Sequence, residues 1–116
     1  MRGFTLIELM IVVVVIGILA AIAIPKFAVV QDQARTVSCR ENLHSLATSE
    51  SIYRCQHGVY TDDWSELETV LGNAGALQCP ESGGGYDLVS TGTSYTLSCA
   101  DLPAGHGSIV DGIKSW

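Results

Sequence analysis

From Phe4 to Ile24 the chain reads FTLIELMIVVVVIGILAAIAI, an almost unbroken apolar run. About 20 such residues at a rise of ~1.5 Å each are long enough to cross the hydrocarbon layer of a bilayer as one helix. One residue in the run is charged, Glu8, near its start. A carboxylate placed in hydrocarbon is disfavoured by at least ~2.5 kcal/mol, so an acid there calls for a partner. A secretory signal is the plainer reading of such a run, and Ala21-Ile22-Ala23 has the small residues of a signal cleavage site. Signal cores, however, are roughly 7–15 residues long and purely apolar. This run is longer, an acid interrupts it, and Met1-Arg2-Gly3 is a very short leader.

Gly3-Phe4-Thr5-Leu6-Ile7-Glu8, the apolar run behind it, Gly17 and Pro25 closely resemble the N-terminal signature of type IV pilins and type II secretion pseudopilins. The resemblance implies that residues 1–3 are a leader and that a prepilin peptidase cuts between Gly3 and Phe4 on the cytoplasmic side. It also implies methylation of the new Phe4 amine. Residues 4–25 would hold the subunit in the inner membrane, N-terminus in the cytoplasm. Inner-membrane assembly machinery would then draw it into a helical homo-polymer with the apolar helices at the filament core, a cell-surface or periplasmic filament.

The chemistry of Glu8 fits that implication. After cleavage Phe4 carries a positive amine inside an apolar bundle, and Glu8 of an adjoining subunit can neutralise it. Each group removes the uncompensated burial of the other, and a subunit docked one step out of register leaves both alone. The competing role for Glu8 is to reach back toward the headgroups. Thr5, one turn away, is placed to share the hydrogen bonding.

Beyond the run, 116 residues leave room for one small domain. Mean hydropathy is +0.31, a value inflated by the N-terminal run. Six basic against twelve acidic residues give a net charge of −6, and loss of Arg2 with the leader takes it to −7 before the new amine is counted. So acidic a chain argues against direct nucleic-acid binding, which needs clustered Lys and Arg. Arg2 precedes the run and Lys26 follows it, so the positive-inside count is nearly a tie, and the resemblance decides the orientation. Four cysteines suit an exported, disulfide-permissive domain.

Pro25 predicts a kink or a melted turn over Ala21–Pro25, because proline removes a backbone hydrogen bond and clashes with the preceding turn. Gly17 weakens the helix a little further. In the pilin family such a spot can stretch, which makes Gly17 and Pro25 the expected points of helix flexibility. Residues 26–57 read as a continuing amphipathic helix with Gly58 as its stop. At ~100° per residue the apolar positions form two stripes. One carries Phe27, Val30, Ala34 and Val37; the other carries Cys39, Leu43, Leu46 and Tyr53. The first continues the membrane helix toward its neighbours, and the second is where a globular part, residues 58–116, would sit.

Asp63-Trp64-Ser65-Glu66 has capping-box spacing for a short helix with Trp64, Leu67, Val70 and Leu71 along one edge. The neighbouring acids Asp62, Asp63, Glu66 and Glu68 invite a calcium reading but lack the alternating ligands and turn glycine of a calcium loop, so they read as helix-start charges. Tyr86 to Ser90 and Tyr95 to Cys99 alternate as a β-hairpin around Thr91-Gly92-Thr93. Tyr86, Leu88 and Ser90 share one side of the first strand, and Tyr95, Leu97 and Cys99 one side of the second. Residues 107–113 read as a third strand centred on Ile109 and Val110, with Asp111-Gly112 counting against it. Cys39-x-x-Asn42-Leu43, then Cys79-Pro80 with Tyr86, then Cys99 followed by Pro103 and Gly105-His106, resemble a subgroup of small pilin-like proteins.

Cys39 and Cys55 are sixteen residues apart on one helix, hence ~24 Å apart along its axis and far outside the ~7 Å a disulfide spans between Cα atoms. If all four cysteines are oxidised, the expected pairs are Cys39–Cys99, which joins the helix stripe to the inward side of a strand, and Cys55–Cys79. A Cys79–Cys99 bridge is the alternative and strands two thiols. No cysteine pair has the C-x₂₋₄-C spacing of structural zinc, so no metal is expected even with His44, His57 and His106 available. Catalytic and phosphate-binding motifs are missing too, since Gly83-Gly84-Gly85 has no following lysine and helix, and neither an enzyme nor a cofactor is expected.

The expectation is therefore an α+β, pilin-like chain: a long N-terminal helix packed by a small antiparallel sheet. Its function would be assembly into a pilus-like filament. A type II secretion pseudopilin is the second reading, and a membrane-anchored periplasmic binding domain the third.

Overall fold

The computed structural model describes residues 2–99 and 106–116. Pro103 and Gly105 of the second resemblance lie outside the described residues. The architecture is α+β, and the chain divides into two units, residues 1–33 and residues 34–116.

The first unit is helical. Helix α1 spans Leu6–His57, so its N-terminal half makes up nearly all of this unit. Its apolar side chains face outward: Leu6 is 73% exposed, Ile11 57% and Ile18 58%. By length and composition it is the one helix among the described residues able to cross a membrane. Pro25 sits inside α1, and helix continues on both sides of it. The melted turn expected over Ala21–Pro25 is not formed. Proline removes a single N–H, and the helical residues around it hold the remaining bonds.

The second unit carries the core. From α1 it takes Cys39, Leu43 and Leu46, each without exposed surface, together with Ala47 and Tyr53. This is the second stripe read from the sequence, whereas Phe27, Val30 and Val37 of the first are more than half exposed. The helix stops at His57, where the Gly58 N–H bonds the Arg54 carbonyl at 2.7 Å. Helix α2, Trp64–Leu71, follows and contributes Leu67 to the core. Asp63 is its N-cap, accepting the Ser65 N–H at 2.9 Å. The box is left open on the other side. Glu66 accepts the hydroxyls of Tyr53 and Thr61, and the Asp63 N–H turns to the Thr61 hydroxyl at 3.1 Å.

A 3₁₀ turn, Ala74–Ala76, leads to a four-stranded antiparallel meander in the order β1-β2-β3-β4. Strands β1 (Tyr86–Ser90) and β2 (Tyr95–Cys99) form the predicted hairpin, with Tyr86 opposite Cys99 and Ser90 opposite Tyr95. The single third strand becomes two: β3, Ser108–Val110, and β4, Ile113–Lys114, with Val110 opposite Ile113. Between them Asp111 (φ 51°) and Gly112 (φ 82°) form a two-residue turn with both residues in the left-handed region. Asp-Gly is the sequence best suited to such a turn, so the pair that argued against a strand instead folds it back on itself. Tyr86, Tyr95, Leu97 and Ile109 face inward and complete the core with the α1 stripe.

Candidate functional site

Two places in the chain gather functional chemistry, one in each unit. At the start of α1, Thr5 and Glu8 form a capping box. The Thr5 N–H and hydroxyl donate to Glu8 Oε2 at 2.9 and 3.0 Å, and the Glu8 N–H returns to Thr5 Oγ1 at 3.3 Å. This Thr-x-x-Glu arrangement satisfies N–H groups that every helix start leaves without partners. Thr5, expected to share Glu8's hydrogen bonding, is thus its capping partner. Phe4 precedes the box and is 92% exposed. Gly17 lies within the same helix, with open space around it.

The second place lies in the globular unit. Cys39 comes from α1, Cys79 from the turn before β1, Cys99 from the end of β2, and His106 precedes β3. Their ligand atoms, three sulfurs and one ring nitrogen, all lie within 4.8 Å of one another. Cys39, Cys79 and His106 are buried and Cys99 is partly so. Cys79 Sγ is 3.4 Å from His106 Nδ1, and His106 Nε2 meets Glu81 Oε2 at 2.6 Å.

Local folding explains how the cluster is held. The Cys79 N–H bonds the Gly84 carbonyl and the Gly83 N–H bonds the Cys79 carbonyl, both at 2.8 Å, closing the Cys79-Pro80-Glu81-Ser82 segment into a tight turn. Tyr86 at the start of β1 sends its hydroxyl to Cys39 Sγ at 3.4 Å and accepts from Asn42 Nδ2 at 3.2 Å. Arg40 Nε donates to the His106 carbonyl at 3.2 Å, and Asn42 also holds the Gln78 carbonyl. Gly107 has φ +93°, and a Cβ there would stand 2.5 Å from the Trp116 ring, so only glycine fits behind His106.

The cysteines differ sharply as acids. Burial pushes Cys39 up to about 12, outweighing the Tyr86 hydroxyl. Burial acts on Cys79 in the same direction but is overcome by the Ser82 N–H and hydroxyl, the Glu81 N–H and the Cys99 thiol, which bring it down to about 6. Of the two, Cys79 is the thiol whose ionisation its surroundings favour.

The expected disulfides are placed differently. No disulfide joins any of the four cysteines. Cys39 and Cys99 are neighbours, as anticipated, but Cys79 is beside both, and Cys55 is exposed elsewhere on α1. With Cys79 at Cys39, and Cys55 ~24 Å farther along the helix axis, the Cys55–Cys79 bridge is geometrically closed. The C-x₂₋₄-C spacing behind the expectation of no metal is a purely local test. It looked for pairs of ligands local in sequence, while these four come from separate segments. The signal was present in the second resemblance, whose Cys39, Asn42, Cys79, Tyr86, Cys99 and His106 are the residues that converge. Of the other histidines, His57 stacks on Tyr53 with ring centroids 4.1 Å apart. Asp63 and Glu66 of the acid cluster are engaged in the start of α2.

Comparison with known proteins bears on the N-terminal segment and on the chain as a whole. The model of the prokaryotic N-terminal methylation motif matches residues 1–24. The chain is 40% identical over 105 residues to the type IV major pilin of Myxococcus xanthus, a match covering 88% of this chain and 44% of that protein. It is 35% identical over 69 residues to the type II secretion system core protein G of Pseudomonas aeruginosa, covering 60% and 49%. The chain thus spans about half the length of these two relatives. No solved structure matches it. To the type IV narrow pilus major component of Thermus thermophilus it is 38% identical over 101 residues, 84% of this chain and 78% of that one. On that likeness, along most of both chains, the protein belongs to the family of type IV pilins and their pseudopilin relatives.

Proposed function

We propose that the chain is a structural subunit of a type IV pilus-like filament, cut by a prepilin peptidase between Gly3 and Phe4, methylated at Phe4, and polymerised through its N-terminal helix. The observation that carries this reading is the outward apolar surface of the run from Phe4 to Ile24, with a single acid, Glu8, near its start. Such a surface needs lipid before assembly and copies of itself afterwards. The inner membrane with a cytoplasmic N-terminus is the proposed site before assembly, and the assembly machinery there the proposed partner. Gly17 and Pro25 are the proposed points where the helix yields during assembly. The chemistry is done to the protein and not by it, in line with relatives that are pilus components. The likeness to core protein G supports a second reading, a pseudopilin of a type II secretion system. Electron microscopy of sheared cell-surface material separates the two. Long filaments indicate a pilin, and filaments seen only when the secretion system is overexpressed indicate a pseudopilin.

The capping box gives Glu8 a local role that competes with pairing to the Phe4 amine of an adjoining subunit, and two variants separate them. Glu8→Gln keeps a side chain able to cap Thr5 but has no charge. Glu8→Ala loses both. If pairing governs assembly, both variants are processed to a Phe4 N-terminus, read by mass, yet give at least ~10-fold fewer filaments, because an unpaired buried amine is destabilising by several kcal/mol. Wild-type filament yield from Glu8→Gln would leave Glu8 a helix cap only. A mature N-terminus retaining Met1-Arg2-Gly3, or beginning after Ala23, would remove the filament reading itself.

A further inference from the structure

The buried cysteine–histidine cluster plays no part in the filament reading and needs an account of its own. We propose that Cys39, Cys79, Cys99 and His106 bind one thiophilic divalent transition ion of the zinc type, in a closed structural site that fastens the turn before β1, the end of β2 and the loop before β3 onto helix α1. Tetrahedral zinc with metal–sulfur bonds of ~2.3 Å and metal–nitrogen bonds of ~2.0 Å sets its ligand atoms roughly 3.5–3.8 Å apart. The four ligand atoms here lie within 4.8 Å of one another, and the Cys79–His106 pair is already at 3.4 Å. Movements on the order of 1 Å complete the site.

The surroundings are those of a ligand set. Glu81 engages His106 Nε2 at 2.6 Å, which turns Nδ1 toward the sulfurs. A carboxylate on the far nitrogen of a metal-binding histidine is the usual outer-shell arrangement, fixing both tautomer and ring orientation. Donors already face the sulfurs: the Glu81 and Ser82 N–H groups at Cys79 and the Tyr86 hydroxyl at Cys39. Three thiolates and a dication leave one net negative charge, and the Arg40 guanidinium bonds the His106 carbonyl at 3.2 Å beside it. Thiolate and imidazole select zinc-type ions over calcium or magnesium, and four protein ligands leave no position open for catalysis. On binding, the thiol protons pass to solvent.

Cysteine arithmetic also favours a metal over a disulfide. One disulfide within the cluster uses two thiols and strands the third in the core, and Cys55 is ~24 Å too far along the helix to take it. A metal uses all three.

The test is metal content and ligand spectroscopy on the full chain purified from envelopes in detergent. Elemental analysis after exhaustive dialysis should give one zinc per chain, with Cys55 the single thiol that alkylates readily. Exchange with cobalt(II) should produce thiolate-to-metal charge-transfer bands and the intense visible bands of a tetrahedral ion. His106→Ala should lose the site, and because that change also removes the buried contacts of His106 with Glu81 and Cys79, Glu81→Gln serves as the milder probe. It should keep one-to-one stoichiometry while metal affinity falls ~10–100-fold. Cys55→Ser should bind as wild type does. A Cys39–Cys99 or Cys79–Cys99 bridge in a nonreducing peptide map of the native protein would overturn the proposal, as would a cobalt spectrum without sulfur charge transfer. Loss of the ion in Cys55→Ser would also overturn it.

Discussion

Glu50 is a carboxyl with no exposed surface, one oxygen without a hydrogen-bond partner and the other accepting the Thr61 N–H at 3.3 Å. Burial lifts it from an ordinary value of 4.5 to about 7, with the Thr61 N–H opposing and the charge of Asp62 adding to the rise. Tyr95 faces the same charge, and its phenol is pushed up to about 12 by burial, then by Tyr60 and Glu50. The consequence for stability has a definite sign. Between pH 4.5 and 7 the folded chain holds a proton at Glu50 that the unfolded chain has released, so stability falls as pH rises through that window and levels off above it. A shift of this size corresponds to about 3 kcal/mol when complete. Glu50→Gln, which never ionises, should match the wild type below pH 4.5 and exceed it by ~2–3 kcal/mol at pH 8. Chemical denaturation of both proteins in detergent at the two pH values measures the difference. An equal gap at both would mean that Glu50 does not titrate in the folded chain.

The β3–β4 hairpin depends on a side chain as well as on its turn. Asp111 Oδ1 accepts the Tyr95 N–H at 2.9 Å and Oδ2 accepts the Ser94 hydroxyl at 3.0 Å, tying the last hairpin to the start of β2. Hydrogen bonds to a charged acceptor contribute ~1.5–3 kcal/mol, so Asp111→Ala should destabilise the sheet by about that much, read as a lower denaturation midpoint. Asp111→Asn keeps one acceptor and tolerates the positive φ, and should recover most of the loss; equal loss in both would point to the charge alone. This element also shows where sequence reading stops. The β1–β2 hairpin was legible because Tyr95, Leu97 and Cys99 alternate, and the α1 core stripe because Cys39, Leu43, Leu46 and Tyr53 repeat at helical spacing. Asp111-Gly112 carries the same local signal whether it breaks a strand or reverses it, and pairing with a partner decides between the two. The melted turn expected at Pro25 was over-read, since the propensity against proline is local and flanking helix overrides it. Among the site residues, the sequence reading placed Thr5 in Glu8's hydrogen bonding but passed over the capping box that Thr5-x-x-Glu8 spells, a purely local signal. The grouping of Cys79 with Cys39, Cys99 and His106 was not legible, because no spacing rule spans a helix, a turn and two strand ends.

Considered whole, the molecule separates what assembles from what folds. Every residue of the buried core, from Cys39 to Ile109, lies in the second unit, whereas the large exposed apolar side chains crowd into the first. Burying one such side chain is worth ~1.5–3 kcal/mol, so an uncovered stretch of them drives the intact chain into lipid, detergent or its own copies. The second unit makes no such demand. From Ala34 onward it carries four basic and ten acidic side chains, a net charge of −6 that keeps copies apart in water. A chain beginning at Ala34 should therefore be monomeric in detergent-free buffer, retain the sheet by circular dichroism, and melt within ~5 °C of the intact protein, the equivalent of about 1 kcal/mol. The intact protein should sediment as a monomer only in detergent. The α1 residues that hold the sheet start at Cys39, so removing the helix before Ala34 leaves their contacts in place and frays only the new end. Loss of cooperative melting in the shortened chain would mean that the first unit stabilises the second, and folding and assembly would then be coupled through α1.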